Sequence, residues 1–287
     1  MPKAARREIE VAGIALTHPD KVLWPQQGLT KLDLAEFYAG IADRILPHVR
    51  NRPLTLVRCP SGSGGSCFVQ KHPWAGLHKA VRRLGDGDET WLAVDDLSGL
   101  VALVQMGVLE VHPWGAMADD LERPDRIVLD LDPDAGVPWG HVVAGALAFR
   151  DLLDERGLRS FVKTTGGKGL HVVVPIEPEA DWETVKAFAH DLAAQLADRE
   201  PQRYTTNPQK EARTGRIFLD HLRNSRGATA VAPYSTRARP GAPVALPLAW
   251  DELSDDATAN RFTVANLPAR RKDPWPGFFE VRQHLPR

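Results

Sequence analysis

The feature that most restricts the fold is a short apolar run that ends in two acids, Ile127 to Asp132 (IVLDLD). Its aliphatic residues are typical of a strand that enters a buried sheet. Because side chains alternate between the two faces of a strand, Asp130 and Asp132 point the same way, with Cα atoms about 6.6 Å apart. Two adjacent carboxylates repel each other unless a cation lies between them. The run therefore predicts a buried strand that ends in either a solvated turn or a metal site.

Other apolar runs along the chain alternate with helical patterns. Thr30, with an acid three residues later, predicts the start of a helix whose apolar positions recur as far as Val49. A second helical pattern runs from Val142 to a stop at Gly157, and a third opens at Asp181. Together with the strands this predicts an α+β (or α/β) fold on a mixed sheet. The expected strands are 53–59, 126–132, 160–164, 170–176, 216–220 and 229–235.

No linker is evident between residues 10 and 265, which favours one catalytic domain over residues 1–287. Within it we expect an N-terminal α/β portion of about 1–110 and a metal-binding core of about 111–250. The proline-rich and basic stretch from Pro268 onward is typical of a tail that wraps around the domain. We assign the tail to about 251–287.

The composition favours an intracellular globular protein, with 43% hydrophobic and 25% charged residues. No apolar run approaches the roughly 20 residues of a membrane span, and the first residues lack the apolar stretch of a signal peptide. The two cysteines, Cys59 and Cys67, do not imply a disulfide framework. We therefore expect a cytoplasmic location and no membrane partner.

Charge is distributed unevenly, although the net charge is −1. Residues 84–135 contain 13 acidic and 2 basic side chains, whereas residues 203–239 contain 8 basic and 2 acidic ones. Such an asymmetry fits a protein that binds cations in one place and polyanions in another. The alternative is that the two segments neutralise each other across the fold.

A third acid, Asp220, ends another apolar run, RIFLD (216–220). With Asp130 and Asp132 it would complete the kind of three-carboxylate cluster that holds two Mg²⁺ or Mn²⁺ ions in phosphoryl transfer. The basic residues around Asp220 suit nucleotide or backbone phosphates. Taken alone, Asp220 could also begin a simple turn.

The segment KTTGGKGLH, Lys163 to His171, places a glycine-rich turn between two expected strands. Backbone N–H groups in such a loop can bind phosphate oxygens, and Lys168 adds a point charge. The loop does not have Walker A spacing, because Lys168 is followed by Gly169 where that motif has Ser or Thr. An exposed hairpin with a solvated lysine is the alternative.

Two further residues each allow a structural and a binding interpretation. His112, which follows the apolar stretch 99–111, is either a structural hydrogen-bonding residue or part of a ligand site. Phe68 follows a loop rich in serine and glycine, and it either packs in the core or stacks on a base.

Taken in order, these motifs resemble the polymerase domain of bacterial ligase D, the end-joining branch of the archaeo-eukaryotic primase superfamily. The matching segments span nearly the whole chain, and their common order is more specific than any one of them. They are PDKVLWP (19–25), GLTKLD (28–33), LEVH (109–112), LDLDP (129–133), GGKGLHV (166–172), IFLD (217–220) and VAPYSTR (231–237).

The resemblance implies roles for individual residues. It makes Asp130, Asp132 and Asp220 the catalytic acids that bind two Mn²⁺ or Mg²⁺ ions. For the NTP or dNTP it implies a base-stacking Phe68 and phosphate and sugar contacts from His112, Thr165, Lys168 and Arg237. For the 5′-phosphate of DNA it implies a pocket formed by Lys21, Lys31 and Arg213.

The fold implied by the resemblance is a primase-like catalytic core with an RRM-like mixed sheet, flanked by helices and the N-terminal α/β portion. The implied activity is template-directed nucleotidyl transfer, which fills gaps and extends ends with a preference for ribonucleotides in bacterial non-homologous end joining. The implied partners are gapped or broken double-stranded DNA with a 5′-phosphate, the Ku protein, and the ligase domain of ligase D in cis or in trans. The implied location is the cytoplasm, in association with the nucleoid.

Three positions depart from relatives of this family. Val69 stands where some relatives carry a second aromatic residue, and Val57 stands where some carry a lysine. Thr165 replaces a common serine, although its hydroxyl can make the same hydrogen bond. The contacts to the base and the sugar are therefore less firmly implied than the metal-binding acids.

Two other classes of function remain open at the level of sequence. A haloacid-dehalogenase-like phosphatase also has a strand that ends in two acids, the first of which is a covalent nucleophile. That motif usually lies near the N-terminus, whereas here 129 residues precede Asp130. A non-catalytic DNA-end-binding module, with acids of purely structural role, is the second alternative.

Overall fold

The computed structural model of the chain describes residues 9–85, 89–254, 258–267 and 273–286. None of the helices in these ranges is both long and apolar enough to cross a membrane. The helices are α1 (Lys31–Gly40), α2 (Ala42–Val49), α3 (Leu97–Gln105), α4 (Trp139–Asp154) and α5 (Trp182–Arg199). The strands are β1 (Ile9–Val11), β2 (Ile14–Leu16), β3 (Val22–Trp24), β4 (Leu29–Thr30), β5 (Leu54–Arg58), β6 (Phe68–Gln70), β7 (Arg82–Leu84), β8 (Trp91–Ala93), β9 (Val108–Pro113), β10 (Arg126–Pro133), β11 (Phe161–Thr164), β12 (Leu170–Pro175), β13 (Tyr204–Thr205), β14 (Ile217–Asp220) and β15 (Pro247–Leu248).

The larger sheet has six strands in the order β13-β14-β10-β12-β11-β15. Its neighbouring strands are antiparallel except for β13 and β14, which are parallel. Because β10 lies between β12 and β14, its acidic end has a paired strand on either side. In this register Asp130 is opposite His171 on β12 and opposite Asp220 on β14.

The two faces of this sheet differ in chemistry, since side chains alternate along each strand. Leu129 and Leu131 of β10 are 1% and 0% exposed and belong to the main apolar core. Helices α4 and α5 pack on this apolar face. A Cβ at Gly145 of α4 would lie only 2.9 Å from a methyl of Leu131. Burial of each leucine contributes about 2 kcal/mol, and it fixes Asp130 and Asp132, which alternate with the leucines, on the opposite face.

The N-terminal portion contains a second sheet, in the order β6-β5-β8-β7, with β9 also paired to β5. Helix α1 begins with a capping box, in which the Thr30 hydroxyl accepts from the Asp33 backbone and the Asp33 carboxylate accepts from Thr30 N–H. One apolar core runs from this portion to the larger sheet and includes Leu34, Leu56 and Leu129. The boundary expected near residue 110 falls within β9.

The C-terminal segment covers part of the polar face of the larger sheet. Residues 268–272, where the predicted tail begins, lie outside the described residues. Beyond them, Trp275 and Phe278 are buried against Phe161 of β11 and Val173 of β12. These two strand residues are cross-strand partners on the same face as the acids of β10.

The predicted α+β class is confirmed, as are the helix that begins after Asp181 and the helix that ends before Gly157. The single helix predicted for residues 30–49 is wrong, because the chain breaks after Gly40 into α1 and α2. The strand predicted for 229–235 is also wrong. Pro233 has no N–H to donate and Tyr234 has φ +66°, so neither residue fits a regular ladder.

Two features were missed by the sequence reasoning. Residues 99–104 of α3 are all buried, so the helix shows no alternation of apolar and polar positions. Cys59 and Cys67 form a disulfide, contrary to the expectation from the cysteine count. They flank the loop between the antiparallel strands β5 and β6, which brings them together.

Candidate active site

Three acids lie together on the polar face of the larger sheet. Asp130 and Asp220 are direct cross-strand partners, and Asp132 is two residues farther along β10 on the same face. The side chains of Asp130 and Asp220 are 8% and 12% exposed, whereas that of Asp132 is 35% exposed. The cluster therefore runs from a buried pair of carboxylates to a more open one.

Basic side chains offset the repulsion between these acids. Arg223 Nε lies 3.0 Å from Asp130 Oδ2 and 3.2 Å from Asp220 Oδ2, so it bridges the buried pair. Asp132 is bonded by Arg213, and Lys168 Nζ lies 3.3 Å from its other oxygen. Three cations thus compensate three anions in a partly dehydrated site.

The surroundings of the acids shift their pKa values in opposite directions. Burial alone would raise the pKa of Asp130, but His171 and Arg223 outweigh it and hold this pKa well below its usual range. The pKa of Asp220 is raised, chiefly by burial and also by the nearby charges of Asp130 and Asp132. A bound cation would offset this repulsion and favour the ionised form of Asp220.

A row of ionisable side chains crosses four neighbouring strands on this face. It contains Lys163 of β11, His171 of β12, Asp130 of β10 and Asp220 of β14, each opposite the next. Burial lowers the pKa of Lys163 to about 7 and that of His171 to about 4. His171 Nε2 lies 3.4 Å from Asp130 Oδ1, so the imidazole helps to hold this carboxylate oxygen in place.

The donor chemistry of the acids fits a hard divalent cation such as Mg²⁺ or Mn²⁺, which prefers carboxylate oxygens. As they stand, no three His, Cys, Asp or Glu side chains within the described residues form a ready set of metal ligands. Arg223 bridges Asp130 and Asp220 here, which is the space that a metal ion would share. Metal binding by these acids therefore requires that the arginine give way.

A pocket opens beside Asp130 and Asp132, and the glycine-rich loop 165–169 forms one of its walls. The Thr165 hydroxyl accepts from the N–H groups of Gly167 (3.2 Å) and Gly169 (3.3 Å), so it closes the loop as a serine would. Four of the residues predicted to contact the nucleotide line this pocket together. They are His112, Thr165, Lys168 and Arg237.

His112 and Arg237 meet at a residue that the sequence reasoning did not select, Glu110. Its Oε2 accepts from His112 Nε2 and from Arg237 Nε, both at 2.8 Å, and its Oε1 accepts from Ala238 N–H at 2.8 Å. Arg237 also donates to the backbone carbonyl of Thr165. Glu110 thus links β9 of the second sheet with the glycine-rich loop of the larger one.

We predict that Glu110 makes the fold sensitive to acid. Burial alone would raise the pKa of Glu110, but His112 and Arg237 lower it from the usual 4.5 to about 2. A carboxylate whose pKa is lowered by folding stabilises the folded state above pH 4.5. This contribution, on the order of 3 kcal/mol, is lost as the pH falls towards 2. We expect the free energy of unfolding, measured with urea at pH 7, 4 and 3, to fall less with decreasing pH for Glu110→Gln than for the unaltered chain. Glu155→Gln, at an exposed position, is the control and should follow the unaltered chain.

Phe68 does not line the pocket beside the acids. It lies on β6 opposite Arg58, whose guanidinium is 5.3 Å from its ring. Val69 is opposite Val57, and Val57 is opposite Glu110 on β9, so these three share a face. The register therefore turns Val69, which is 60% exposed, towards the side of Glu110, and Phe68 towards the other side.

Lys21 and Lys31 lie together at the hairpin of β3 and β4, where Lys31 N–H donates to Lys21 O. Lys31 is buried, and its Nζ donates to Thr17 O at 2.6 Å. Burial, together with the charge of Lys21, lowers the pKa of Lys31. Lys21 Nζ donates to Pro60 O. The positive charge of both lysines on this hairpin favours an anion nearby. Arg213, predicted for the same pocket, instead bonds Asp132 in the acid cluster.

The acidic and basic segments of the sequence do meet in the fold. Some of these ion pairs lie within the acid cluster and others lie outside it. The alternative that the two segments neutralise each other across the fold is therefore partly correct. The pairs that join the two segments are Arg213 with Asp132, Arg223 with Asp130, Arg226 with Glu122, and Arg237 with Glu110.

The sequence reasoning missed Arg239 and His171, which line the pocket, and Glu110, which holds two of the lining residues. Arg223, which also lines it, was among the basic residues around Asp220 that were expected to suit phosphates. The guanidinium carbon of Arg239 would lie 3.6 Å from a Cβ at Gly167, so it reaches over the glycine-rich loop. Period-two spacing from His112 to Glu110, both on β9, is a signal that could have pointed to Glu110.

Several known proteins are similar to the chain in sequence. The chain is 42% identical over 283 residues to the multifunctional non-homologous end joining protein LigD of Pseudomonas aeruginosa, which covers 96% of the chain. It is 31% identical over 269 residues to the bifunctional LigD of Bacillus subtilis, which covers 93% of the chain. The chain spans 34% and 44% of the lengths of these two relatives.

A solved structure has the same fold. It is the polymerase domain of Mycobacterium tuberculosis ligase D in complex with DNA, with a TM-score of 0.81 and 31% identity. The match covers 88% of this chain and 92% of that one.

A mixed sheet that presents three acids beside a cation-lined loop defines a nucleotidyltransferase of the polymerase type. The family model described as the LigD primase-polymerase domain matches residues 30–275. The chain therefore belongs to the LigD primase-polymerase domain family. Membership confirms the resemblance seen in the sequence and supports a nucleotidyltransferase over the phosphatase alternative. A polymerase-type domain uses divalent metal ions and nucleotides.

Proposed function

We propose that this chain adds nucleotides to the 3′-hydroxyl of a primer under the direction of a DNA template, and that it fills gaps and extends ends in bacterial non-homologous end joining. The observation that carries the proposal is the pairing of Asp130 with Asp220, and the presence of Asp132 beside them, at the wall of a pocket with a glycine-rich loop. The names of the relatives support the repair pathway.

The chain's own residues bind and orient the nucleotide in this proposal. Lys168, Arg237 and Arg239 supply positive charge for the triphosphate. The Thr165 hydroxyl keeps the loop closed beside them, because it accepts from the N–H groups of Gly167 and Gly169. Asp130, Asp132 and Asp220 would hold two divalent ions, which supply activation of the primer oxygen and neutralisation of the triphosphate. Arg223 and Arg213 contact these acids and would be near enough to bind phosphate groups if metal ions took their place.

Further parts of the proposal rest on the family. The ions are Mn²⁺ or Mg²⁺, ribonucleotides are preferred to deoxyribonucleotides, and the nucleic acid is gapped or broken double-stranded DNA with a 5′-phosphate. The protein partners are Ku and the ligase domain of ligase D, in cis or in trans. The complex works in the cytoplasm, on the nucleoid.

Primer extension on a gapped duplex with a 5′-phosphate, Mn²⁺ and ribonucleotides tests the activity directly. We expect addition of nucleotides that match the template bases in the gap. Absence of extension with either kind of nucleotide would overturn the proposal, and extension that ignores the template would restrict it to end addition.

Lys21→Ala should weaken binding to a 5′-phosphorylated gap by roughly tenfold and binding to the unphosphorylated gap by much less, since only the former places an anion at the two lysines. Lys21 is the better test residue, because its side chain is exposed whereas Lys31 is buried. Fluorescence anisotropy with both duplexes measures the difference. Lys186→Ala on α5 is the control and should affect neither affinity. Equal weakening on both duplexes would contradict the pocket.

A further inference from the structure

Glu110 lies where residues from separate parts of the fold meet at the nucleotide pocket. It is 5% exposed, and its two oxygens accept three hydrogen bonds, from His112, Arg237 and Ala238. Both His112 and Arg237 line the pocket, whereas Glu110 itself does not. Any effect of Glu110 on a bound nucleotide therefore passes through the two residues that it holds.

The hydrogen bond from His112 to Glu110 determines which ring nitrogen carries the proton and which one is left as an acceptor. A carboxylate only accepts, so His112 Nε2, at 2.8 Å from Glu110 Oε2, must carry a proton. Burial, with help from Arg237 and Arg223, keeps the pKa of His112 below its usual 6.5 although Glu110 acts in the other direction. The ring is therefore neutral near pH 7, and its Nδ1 has a lone pair and no proton.

A ring nitrogen that can only accept a hydrogen bond can pair with some groups of a nucleotide and not with others. Phosphate oxygens are also acceptors, so they gain nothing from Nδ1, whereas a sugar hydroxyl can donate to it. Of the phosphate cations proposed above, Lys168 comes from the loop between β11 and β12 and Arg237 and Arg239 come from the segment before β15, whereas His112 comes from β9 of the other sheet. This origin separates His112 from the cations proposed for the phosphates.

We propose that Glu110 is a positioning residue that fixes the Nε2–H tautomer of His112, so that His112 Nδ1 accepts a hydrogen bond from the 2′-hydroxyl of an incoming ribonucleotide. The inference rests on the proposed nucleotidyl transfer and assigns its preference for ribonucleotides to a specific pair of residues. Arg237 is held by the same carboxylate. In this proposal it binds the phosphates while His112 binds the sugar, so Glu110 fixes the two contacts relative to each other.

Analogues of ATP test the donor requirement on the unaltered chain. In single-nucleotide addition to a gapped duplex, dATP and 2′-fluoro-2′-deoxy-ATP should each have a kcat/KM roughly tenfold below that of ATP, because neither has a 2′ donor. The 2′-amino analogue keeps an N–H donor and should stay within about threefold of ATP. A 2′-fluoro analogue that is used as well as ATP would overturn the proposal.

Glu110→Gln tests the tautomer. In the orientation that keeps the amide oxygen on Ala238 N–H, the glutamine NH2 takes the place of Oε2 and faces His112 Nε2 and Arg237 Nε. An NH2 group donates and does not accept, so in this orientation the ring proton moves to Nδ1 and the acceptor is removed. The ratio of kcat/KM for ATP to that for dATP should fall from roughly ten to near one, mainly through a higher KM for ATP. His112→Ala should lower the ratio equally, and the double variant should lower it no further. Glu122→Gln, an exposed acid paired with Arg226, is the matched control.

The outcomes separate this inference from the proposed function. If Glu110→Gln lowers kcat/KM for both nucleotides by the same factor, its role is only structural and the inference is wrong. Extension by the unaltered chain without any discrimination at the 2′ position also contradicts the inference alone. Failure of the unaltered chain to extend with either nucleotide contradicts the proposed function itself.

Discussion

Asp130→Asn is expected to lower the rate of nucleotide addition by at least about a thousandfold, because it removes the most buried of the three carboxylates that would bind the metal ions. Asp130 is paired with Asp220 across the strands, receives Arg223 and His171, and is held ionised by them. An amide of the same shape keeps the packing but donates where a metal ion needs an acceptor. Single-turnover addition to a gapped duplex with Mn²⁺ measures the loss.

Two further readouts distinguish lost chemistry from lost structure in this variant. Mn²⁺ affinity, measured by calorimetry without nucleotide, should fall at least tenfold, while binding to the gapped duplex should change by less than about threefold. Asp154→Asn is the matched control, since Asp154 ends α4, which packs on the opposite face of the sheet, and is exposed. A near-normal rate for Asp130→Asn would remove the acids from the proposed mechanism.

Local sequence patterns were sufficient wherever the structure is itself determined locally. Alternation along a strand placed Asp130 and Asp132 on one face, and the Thr30 capping box set the start of α1. The same local reasoning was wrong at residues 229–235, where Pro233 and Tyr234 disrupt an apolar run that otherwise looks like a strand. Strand propensity averaged over a few residues does not account for one residue whose backbone cannot adopt the strand conformation.

The parts of the site that depend on strand order could not be read from local patterns. Asp220 lies opposite Asp130 only because β14 returns beside β10, and the resemblance to a family, not the pattern, supplied that pairing. Phe68 and Val69 are adjacent in sequence, but the register with β5 decides which of them faces Glu110. Arg213 is assigned by sequence to a phosphate pocket, and its position against Asp132 follows from the same three-dimensional pairing.

Gly169→Ala is expected to disable the site through the backbone alone. A Cβ at Gly169 would lie 2.0 Å from the carbonyl oxygen of Leu131, the residue between Asp130 and Asp132, so β10 and the glycine-rich loop would have to separate. Such overpacking costs about 2–3 kcal/mol of folding free energy, and a shift of about 1 Å in the reacting groups costs roughly a hundredfold in rate.

Thermal unfolding and single-nucleotide addition together test this prediction. We expect Gly169→Ala to melt several degrees lower and to add nucleotides about a hundredfold more slowly at a temperature where it is folded. Gly40→Ala is the matched control, because a Cβ there meets nothing within 4 Å. If Gly169→Ala is fully active, the loop is not held against Leu131 and the nucleotide pocket must have a different wall. A loss of rate without loss of the folded state would instead show that the spacing between this loop and β10 sets the position of the acids relative to the triphosphate.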